Sequence, residues 1–154
     1  MKIKTITLAI SLLGFLLSIT GPSLAAGSGS WSNNSNTDLK NAIELIENKK
    51  YSDAQPLLQK AIKAEPDNAD AYNMLGYSQR KMGNKDVALG YYTKALDLNP
   101  RHRGANEYLG QLYLELNEPA KAKERLEVLD KSCTFGCDEY TSLKEAIEAY
   151  EQTQ

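Results

Sequence analysis

The two cysteines are the residues with the clearest chemical potential, because they lie close together in the chain. Cys133 and Cys137 are separated by three residues, Thr-Phe-Gly, and His102 is the single histidine. Thiol redox catalysis usually relies on Cys-x-x-Cys in a βαβ setting, and a zinc ion requires about four ligands. The spacing, the lack of a strand pattern and the distant histidine therefore favour a structural disulfide over a redox pair or a metal site. Gly136 permits the tight turn that so small a ring requires.

Other residue types used in catalysis are dispersed along the chain. His102 follows an Asn-Pro pair, which predicts a surface turn, and the 20 acidic residues are spread mostly over predicted helix surfaces. The sequence contains neither G-x-S-x-G nor a phosphate-binding glycine loop. An active site needs several such groups held together in a desolvated pocket. We therefore expect no enzymatic activity, no cofactor and no bound metal.

The charge balance argues against a nucleic-acid partner. The chain has 18 Lys and Arg against 20 Asp and Glu, which gives a net charge of -2. Nucleic-acid-binding domains usually concentrate positive charge on one face. Hydrophobic residues make up 42% of the chain, an ordinary value that allows a packed core. We therefore expect the partner to be a protein.

The N-terminal end differs in composition from the rest of the chain. Lys2 and Lys4 make it positively charged, and an apolar run covers residues 6–19. A Gly-Pro break follows, and Ser-Leu-Ala at 23–25 supplies the small residues of a cleavage site. This three-part layout is typical of a secretory signal peptide, which we predict over residues 1–25.

Export has consequences for the location of the protein and for its thiols. Cleavage after Ala26 is the alternative to cleavage after Ala25. The apolar run is shorter than the roughly 20 residues of a membrane span, so we expect no stable membrane insertion after cleavage. The predicted location is the periplasm, with secretion, or a membrane tether if the segment is not cleaved, as alternatives. Oxidising conditions outside the cytoplasm favour the Cys133–Cys137 disulfide.

Residues 26–36 have the composition of a linker. Apart from Trp31 they are almost entirely Gly, Ser and Asn. Such a segment buries too little apolar surface to fold by itself. We therefore predict a flexible tether, in which Trp31 is either an anchor against the first helix or an isolated exposed aromatic residue.

The remainder of the chain repeats with a period of 34 residues. Small and bulky apolar residues recur in fixed columns, and within each unit they follow the i, i+3, i+4, i+7 spacing of a helix face. Gly83 predicts the end of the first helix of the middle unit, and Pro100 the end of the second. These patterns predict an all-α fold in which each unit is a pair of antiparallel helices. The columns are Ala42, Gly76 and Gly110; Ala54, Ala88 and Ala122; Leu58, Tyr92 and Leu126; and Ala61, Ala95 and Leu129.

The middle unit, residues 69–102, resembles the tetratricopeptide repeat family. Its Tyr72-x-x-Leu75-Gly76, Ala88, Tyr92, Ala95 and Pro100 are similar to the family pattern W-x2-L-G-x2-Y…A-x3-F…P. The resemblance covers about residues 35–136, in units 35–68, 69–102 and 103–136. Asn41 and Thr134 depart from the pattern where the middle unit has Leu75 and Pro100. The resemblance implies an α-solenoid of three helix-pair repeats.

A further helix is predicted over residues 138–151. Tyr140, Leu143 and Ile147 continue the 34-residue register, and charged residues cover the other face. A solenoid needs such a polar-backed cap at its open end. The repeat domain with its cap then spans residues 37–151.

Two prolines fall within predicted helices. If Ser52 is the N-cap of its helix, Pro56 lies in the first turn, where backbone N–H groups have no intrahelical partner. Pro119 fits the first helical position after Asn117 and Glu118. Both prolines therefore predict helix starts.

The family resemblance also implies where a ligand binds. In such repeats the first helix of each unit lines a concave groove through its positions two, five, nine and twelve. Some relatives clamp a terminal carboxylate with Lys and Asn at positions five and nine of the first repeat. Leu39 and Ile43 occupy those two positions, so the resemblance does not imply recognition of a terminal carboxylate. The groove residues that the resemblance implies are Asn36, Leu39, Ile43 and Ile46; Asp70, Asn73, Tyr77 and Arg80; and Gly104, Glu107, Gln111 and Leu114.

The first helix is apolar on more than one face, through Leu39, Ile43 and Ile46 together with Ala42 and Leu45. An apolar patch at the end of a solenoid normally requires a cover, which could be a peptide ligand, a second copy or the tether. We interpret the protein as an adaptor or assembly factor of the cell envelope that binds a protein or peptide segment in its groove. The alternatives are a self-associating structural module, a homodimer included, a chaperone for exported proteins and a Cys-pair redox protein.

Overall fold

A computed structural model describes residues 31–134 and 136–153, with side chains from residue 36 onward. The predicted signal peptide and residues 26–30 lie outside the described residues. Within the described ranges no helix is both long and apolar enough to cross a membrane. These ranges hold seven α-helices and no strand: α1 (Trp31–Glu47), α2 (Tyr51–Ala64), α3 (Ala69–Lys81), α4 (Lys85–Leu98), α5 (Arg103–Glu115), α6 (Pro119–Ser132) and α7 (Asp138–Glu151).

The helices form three packed pairs, α1 with α2, α3 with α4, and α5 with α6. Each second helix packs against the first helix of the next pair, and α7 packs against α5 and α6. The all-α solenoid of three helix pairs with a C-terminal capping helix, predicted from the period, is therefore confirmed. The range of α7 coincides with the range expected for the cap.

The first helix begins earlier than the sequence indicated. Residues 31–36 form the first turns of α1, whereas composition had assigned them to a flexible tether. Ser and Asn are weak helix formers, but a helix anchored downstream gains one hydrogen bond for each residue added at its end. Ala42 and Ile46 supply that anchor, since both are buried against α2 and α3. The predicted tether is therefore wrong for residues 31–36.

Each first helix ends in the same backbone turn. Lys49, Gly83 and Asn117 all have positive φ, at 59°, 85° and 61°. The next N–H bonds to a carbonyl five residues back, as from Asn84 to Gln79 at 2.9 Å. This is the 6→1 bond of a Schellman cap, which requires a left-handed residue. Gly83 adopts that conformation without strain and Asn117 tolerates it, whereas Lys49 is strained there.

Two of the second helices, α2 and α6, contain a proline. Pro119 is the first residue of α6, as predicted. Pro56, however, lies inside α2, because the preceding turn starts that helix at Tyr51. Lys50 is the N-cap, and the Ser52 hydroxyl hydrogen-bonds to the Asp53 carboxylate at 3.3 Å. The prediction of Ser52 as the N-cap is wrong.

Neighbouring helices approach each other closely at two glycines. A Cβ atom at Gly76 would lie 2.6 Å from ring atoms of Tyr92, and one at Gly110 would lie 2.5 Å from Leu143. Tyr92 and Leu143 are fully buried. The small residues predicted at the crossings are therefore required by space between α3 and α4 and between α5 and α7.

The Cys133–Cys137 disulfide is formed, with the two Cα atoms 5.7 Å apart. It links the residue that caps α6 to the residue that precedes α7. The predicted pairing of the two cysteines is confirmed, and its structural role stays a prediction.

Replacing both cysteines by Ser is expected to lower the free energy of unfolding by about 2 kcal/mol, the loop-entropy value for so short a ring. Urea denaturation with and without dithiothreitol measures it. Reductant should bring the wild-type protein to the stability of the double variant and leave the variant unchanged. Equal stability of oxidised wild type and variant would contradict the expectation.

Candidate binding groove

One wall of the solenoid is built from the first helix of each unit. Helix α3 contacts both α1 and α5, and α5 contacts α7. Between α1, α3 and α5 this wall holds a cavity of about 350 Å³, which we call the tyrosine pocket. Its volume lies at the lower end of the range of small-molecule binding sites. Its uncharged lining consists of Ile43, Ile46, Met74, Tyr51, Tyr77 and Tyr108.

Three tyrosines form one side of this pocket. The ring centroids of Tyr51 and Tyr77 lie 6.2 Å apart with the planes at 66°, and those of Tyr77 and Tyr108 lie 4.8 Å apart. Such edge-to-face and tilted pairs are favourable beyond the area they bury. Burial raises the pKa of the Tyr108 phenol, which therefore stays neutral at physiological pH.

Basic groups already lie over the tyrosine rings. The guanidinium carbon of Arg80 is 5.8 Å from the ring centroids of both Tyr77 and Tyr108. The Lys81 ammonium is 5.3 Å from the Tyr77 centroid. These distances allow cation–π attraction. The charged residues on the pocket lining are Glu47 and Lys49.

Arg80, predicted as a ligand contact, is buried between helices. Its side chain is 5% exposed. The guanidinium donates hydrogen bonds to the Glu115 carboxylate at 2.9 Å and to the Gln111 side-chain oxygen at 2.8 Å. Arg80 therefore joins α3 to α5, and it also lines a second cavity, which lies beside α7.

Glu107 is also a structural link. Its carboxylate accepts hydrogen bonds from the Ser142 hydroxyl at 2.6 Å and from the Gln111 amide at 3.0 Å. Burial raises the pKa of Glu107, the Ser142 hydrogen bond opposes this, and the Glu139 charge adds to it. Glu107 thus ties α5 to α7, because Ser142 lies on the capping helix.

Glu107→Gln is expected to remove a pH dependence of stability. Because the folded-state pKa is raised, the folded protein binds more protons than the unfolded chain just above pH 4.3, the ordinary Glu value. This carboxyl therefore lowers stability as pH rises through its folded pKa. Glutamine keeps an oxygen that can accept both hydrogen bonds. Urea denaturation from pH 4 to 8 should show the variant gaining stability relative to wild type as pH rises, and a relative loss would contradict this.

Asp70 and His102 connect α3 to the start of α5. His102 Nδ1 accepts the Ala105 N–H at 3.1 Å, so this side chain caps α5, and its Nε2 is 2.9 Å from the Asp70 carboxylate. With Nδ1 accepting, Nε2 carries the proton that Asp70 accepts. This hydrogen bond is the main cause of a lowered pKa at Asp70. The link therefore stabilises the fold above the ordinary Asp pKa and is lost as pH falls through the folded value.

The remaining predicted groove residues divide into two groups. Leu39 is half-buried and packs against the core of α1 to α3, as does Leu45. Asn73 is buried, and its side-chain nitrogen would lie 3.0 Å from a Cβ at Gly104, which is a tight contact. Ile43, Ile46 and Tyr77 line the tyrosine pocket, whereas Gln111 and Leu114 line a second cavity of about 460 Å³ beside α7.

Sequence reasoning missed half of the pocket's uncharged lining. Met74 and Tyr108 are 34 residues apart and lie one position after a predicted groove residue, while Tyr51 starts α2. The period alone could have paired Met74 with Tyr108. The presence of Tyr51 follows from the turn at Lys49 that brings the start of α2 to the wall.

Among residues 31–134 and 136–153, no group of three or more His, Cys, Asp and Glu side chains could hold a metal ion.

Comparison with known proteins agrees with this architecture. A family model described as tetratricopeptide repeat matches residues 73–127, and a second with the same description matches residues 45–89. Mouse superkiller complex protein 3 is 33% identical over 90 residues, which is 58% of this chain. That match spans only 6% of the length of the mouse protein.

Solved structures share the fold at low sequence identity. The Yersinia enterocolitica chaperone SycD, in complex with a peptide of the translocator YopD, superposes with a TM-score of 0.67 at 18% identity, covering 79% of this chain and 95% of SycD. The TPR2B domain of yeast Sti1 superposes with a TM-score of 0.71 at 16% identity, covering 79% of this chain and 99% of that domain. The two family matches together span more than half of the chain, which therefore belongs to the tetratricopeptide repeat family.

Proposed function

We propose that this protein binds a segment of a partner protein along the wall formed by α1, α3, α5 and α7. The observation that supports the proposal most is the tyrosine pocket, an open and largely uncharged cavity in that wall. SycD, which shares the fold, was solved with a peptide of another protein. We further propose that the protein is an adaptor or assembly factor of the cell envelope, in the periplasm. The signal-peptide pattern supports this location, and a disulfide suits an oxidising compartment.

Crosslinking of the protein in its own envelope fraction tests this function, with Ile43→Glu as the variant. Ile43 is half-buried and lines the pocket, so a carboxylate there should abolish crosslinking to the partner. Val87→Glu is the matched control, because Val87 is 50% exposed on α4 and does not line the pocket. Equal crosslinking of both variants would refute the groove as the binding surface.

The same preparation tests the location and the alternative of self-association. Fractionation should find the protein in the periplasm. Light scattering should give a monomer mass for wild type and for both variants. A dimer that Ile43→Glu converts to a monomer would favour the self-associating module instead.

A further inference from the structure

The tyrosine pocket has the size and the lining to hold a single large side chain. Its volume of about 350 Å³ is open to the groove, and six uncharged residues form its walls. Ile43, Met74 and Tyr77 are only half-buried there. A side chain that covers them removes apolar surface from water, which favours binding.

A positively charged side chain is a poor occupant, despite the three aromatic rings. Tyrosine faces attract cations, but Arg80 and Lys81 already lie over Tyr77, and Arg80 also lies over Tyr108. A third cation beside these rings would meet like charges. The Glu47 carboxylate on the lining offers only one compensating charge.

The rim of the pocket has a net positive charge available to a ligand. Among residues 36–134 and 136–153, neither Lys49 nor Lys81 has a carboxylate within salt-bridge distance. The charge of Arg80, by contrast, is matched by Glu115 at 2.9 Å. Two uncompensated lysines against Glu47 leave an excess of one positive charge. This excess complements acidic residues on the partner.

We propose that the tyrosine pocket takes one large apolar side chain, such as Phe, Leu or Met, from a partner segment that carries acidic residues on either side of it. This inference rests on the proposed binding function and adds the chemistry of the segment. The pocket supplies the apolar contact, and Lys49 and Lys81 supply the charge preference.

Three capped tripeptides serve as probes: acetyl-Asp-Phe-Asp-amide, acetyl-Lys-Phe-Lys-amide and acetyl-Asp-Ser-Asp-amide. Isotope-labelled protein isolated from the cells that express it is titrated while NMR follows the methyl signals of Ile43, Ile46 and Met74. The Asp-Phe-Asp peptide should shift these signals with a dissociation constant in the millimolar range, as expected for so small a ligand. The Lys-Phe-Lys peptide should bind about three- to fivefold more weakly, the effect of exposed ion pairs. The Asp-Ser-Asp peptide should leave the signals unshifted.

A charge-removing variant that keeps the fold provides the second readout. Lys49 has positive φ, so Lys49→Gly relieves strain while deleting the charge. Lys81 is exposed at the end of α3, so Lys81→Gln deletes the second charge there. The double variant leaves Glu47 as the uncompensated charge on the lining, so it should bind the Asp-Phe-Asp peptide no more tightly than the Lys-Phe-Lys peptide. Raised salt should reduce the preference of the wild type for the Asp-Phe-Asp peptide.

Distinct outcomes overturn this inference and the proposed function. The inference fails if Lys-Phe-Lys binds as tightly as Asp-Phe-Asp, if Asp-Ser-Asp shifts the same signals, or if no peptide does. In those cases a partner that still crosslinks to wild type and is lost in Ile43→Glu leaves the proposed function intact. If Ile43→Glu keeps its partner, the proposed function fails whatever the peptides do.

Discussion

Gly76→Ala is expected to lower the free energy of unfolding by about 2 kcal/mol, the middle of the range for overpacked cores. The added methyl would lie 2.6 Å from two ring atoms of Tyr92. That ring has no exposed surface, so it can move only by displacing its neighbours or by separating α3 from α4. Urea denaturation followed by circular dichroism measures the loss.

Gly90→Ala is the matched control for this substitution. Gly90 also lies within a helix, α4, but it is exposed and a Cβ there would meet nothing within 4 Å. Alanine at an exposed helix position should raise the free energy of unfolding by about 0.5–1 kcal/mol. Two Gly-to-Ala changes in one helix pair should therefore act in opposite directions.

The first unit contains a residue pair that should compensate for the clash between an alanine at position 76 and the Tyr92 ring. In the first unit the column of Gly76 holds Ala42, and the column of Tyr92 holds Leu58. Gly76→Ala combined with Tyr92→Leu reproduces that pair in the second unit. A double-mutant cycle should show a favourable coupling between the two changes, since each site contacts the other. Additive losses would mean that the glycine is required for a reason other than the Tyr92 ring.

The crossing residues could be predicted from the sequence because a 34-residue period places equivalent helices against one another. The period fixed the columns, and the small residue of each column marked the close approach of Gly76 and Gly110. The left-handed turns at Lys49 and Asn117 were missed because neither residue is glycine. They lie one period before and after Gly83. The 34-residue register could therefore have predicted these two turns, even though the residue types could not.

The groove was predicted less well, for a physical reason. The residue types of Arg80, Asn73 and Glu107 suggest contact with solvent or a ligand. Charged and amide side chains are rarely buried without hydrogen-bond partners. For Arg80 and Glu107 such partners lie on other helices: the side chain of Gln111 hydrogen-bonds to Arg80, and that of Ser142 to Glu107. Such links between units depend on the rotation of one unit against the next, which a period does not specify. The helix that carries a residue was therefore predictable, whereas the neighbour it meets was not.

Arg80→Ala is expected to lower the free energy of unfolding by about 3–4 kcal/mol. The substitution removes two hydrogen bonds from a charged donor, each worth roughly 1.5 kcal/mol or more, together with the packing of a side chain that is 5% exposed. Glu115 is 38% exposed and also lies 3.5 Å from Lys85. It is therefore not left as an uncompensated buried charge, which keeps the loss below that of a fully buried pair.

Two further variants separate the geometry of Arg80 from its charge. Arg80→Lys keeps the charge but lacks the planar fork that reaches Glu115 and Gln111 together, so it should recover only part of the loss. Lys81→Ala removes an exposed neighbour that also lies over Tyr77, and it should change stability by less than about 0.5 kcal/mol. Urea denaturation compares all three with wild type.

The stability of Arg80→Ala also decides how binding data on this residue are interpreted. If the role of Arg80 is structural, its side chain holds α5 against α3. It thereby also holds the Tyr108 ring centroid 4.8 Å from that of Tyr77. Its loss should then weaken partner capture only as far as it unfolds the protein or widens the tyrosine pocket. Lost capture with wild-type stability and unshifted Ile43 and Met74 methyl signals would instead make Arg80 a direct ligand contact. The buried guanidinium, with its hydrogen bonds to Glu115 and Gln111, predicts the structural result.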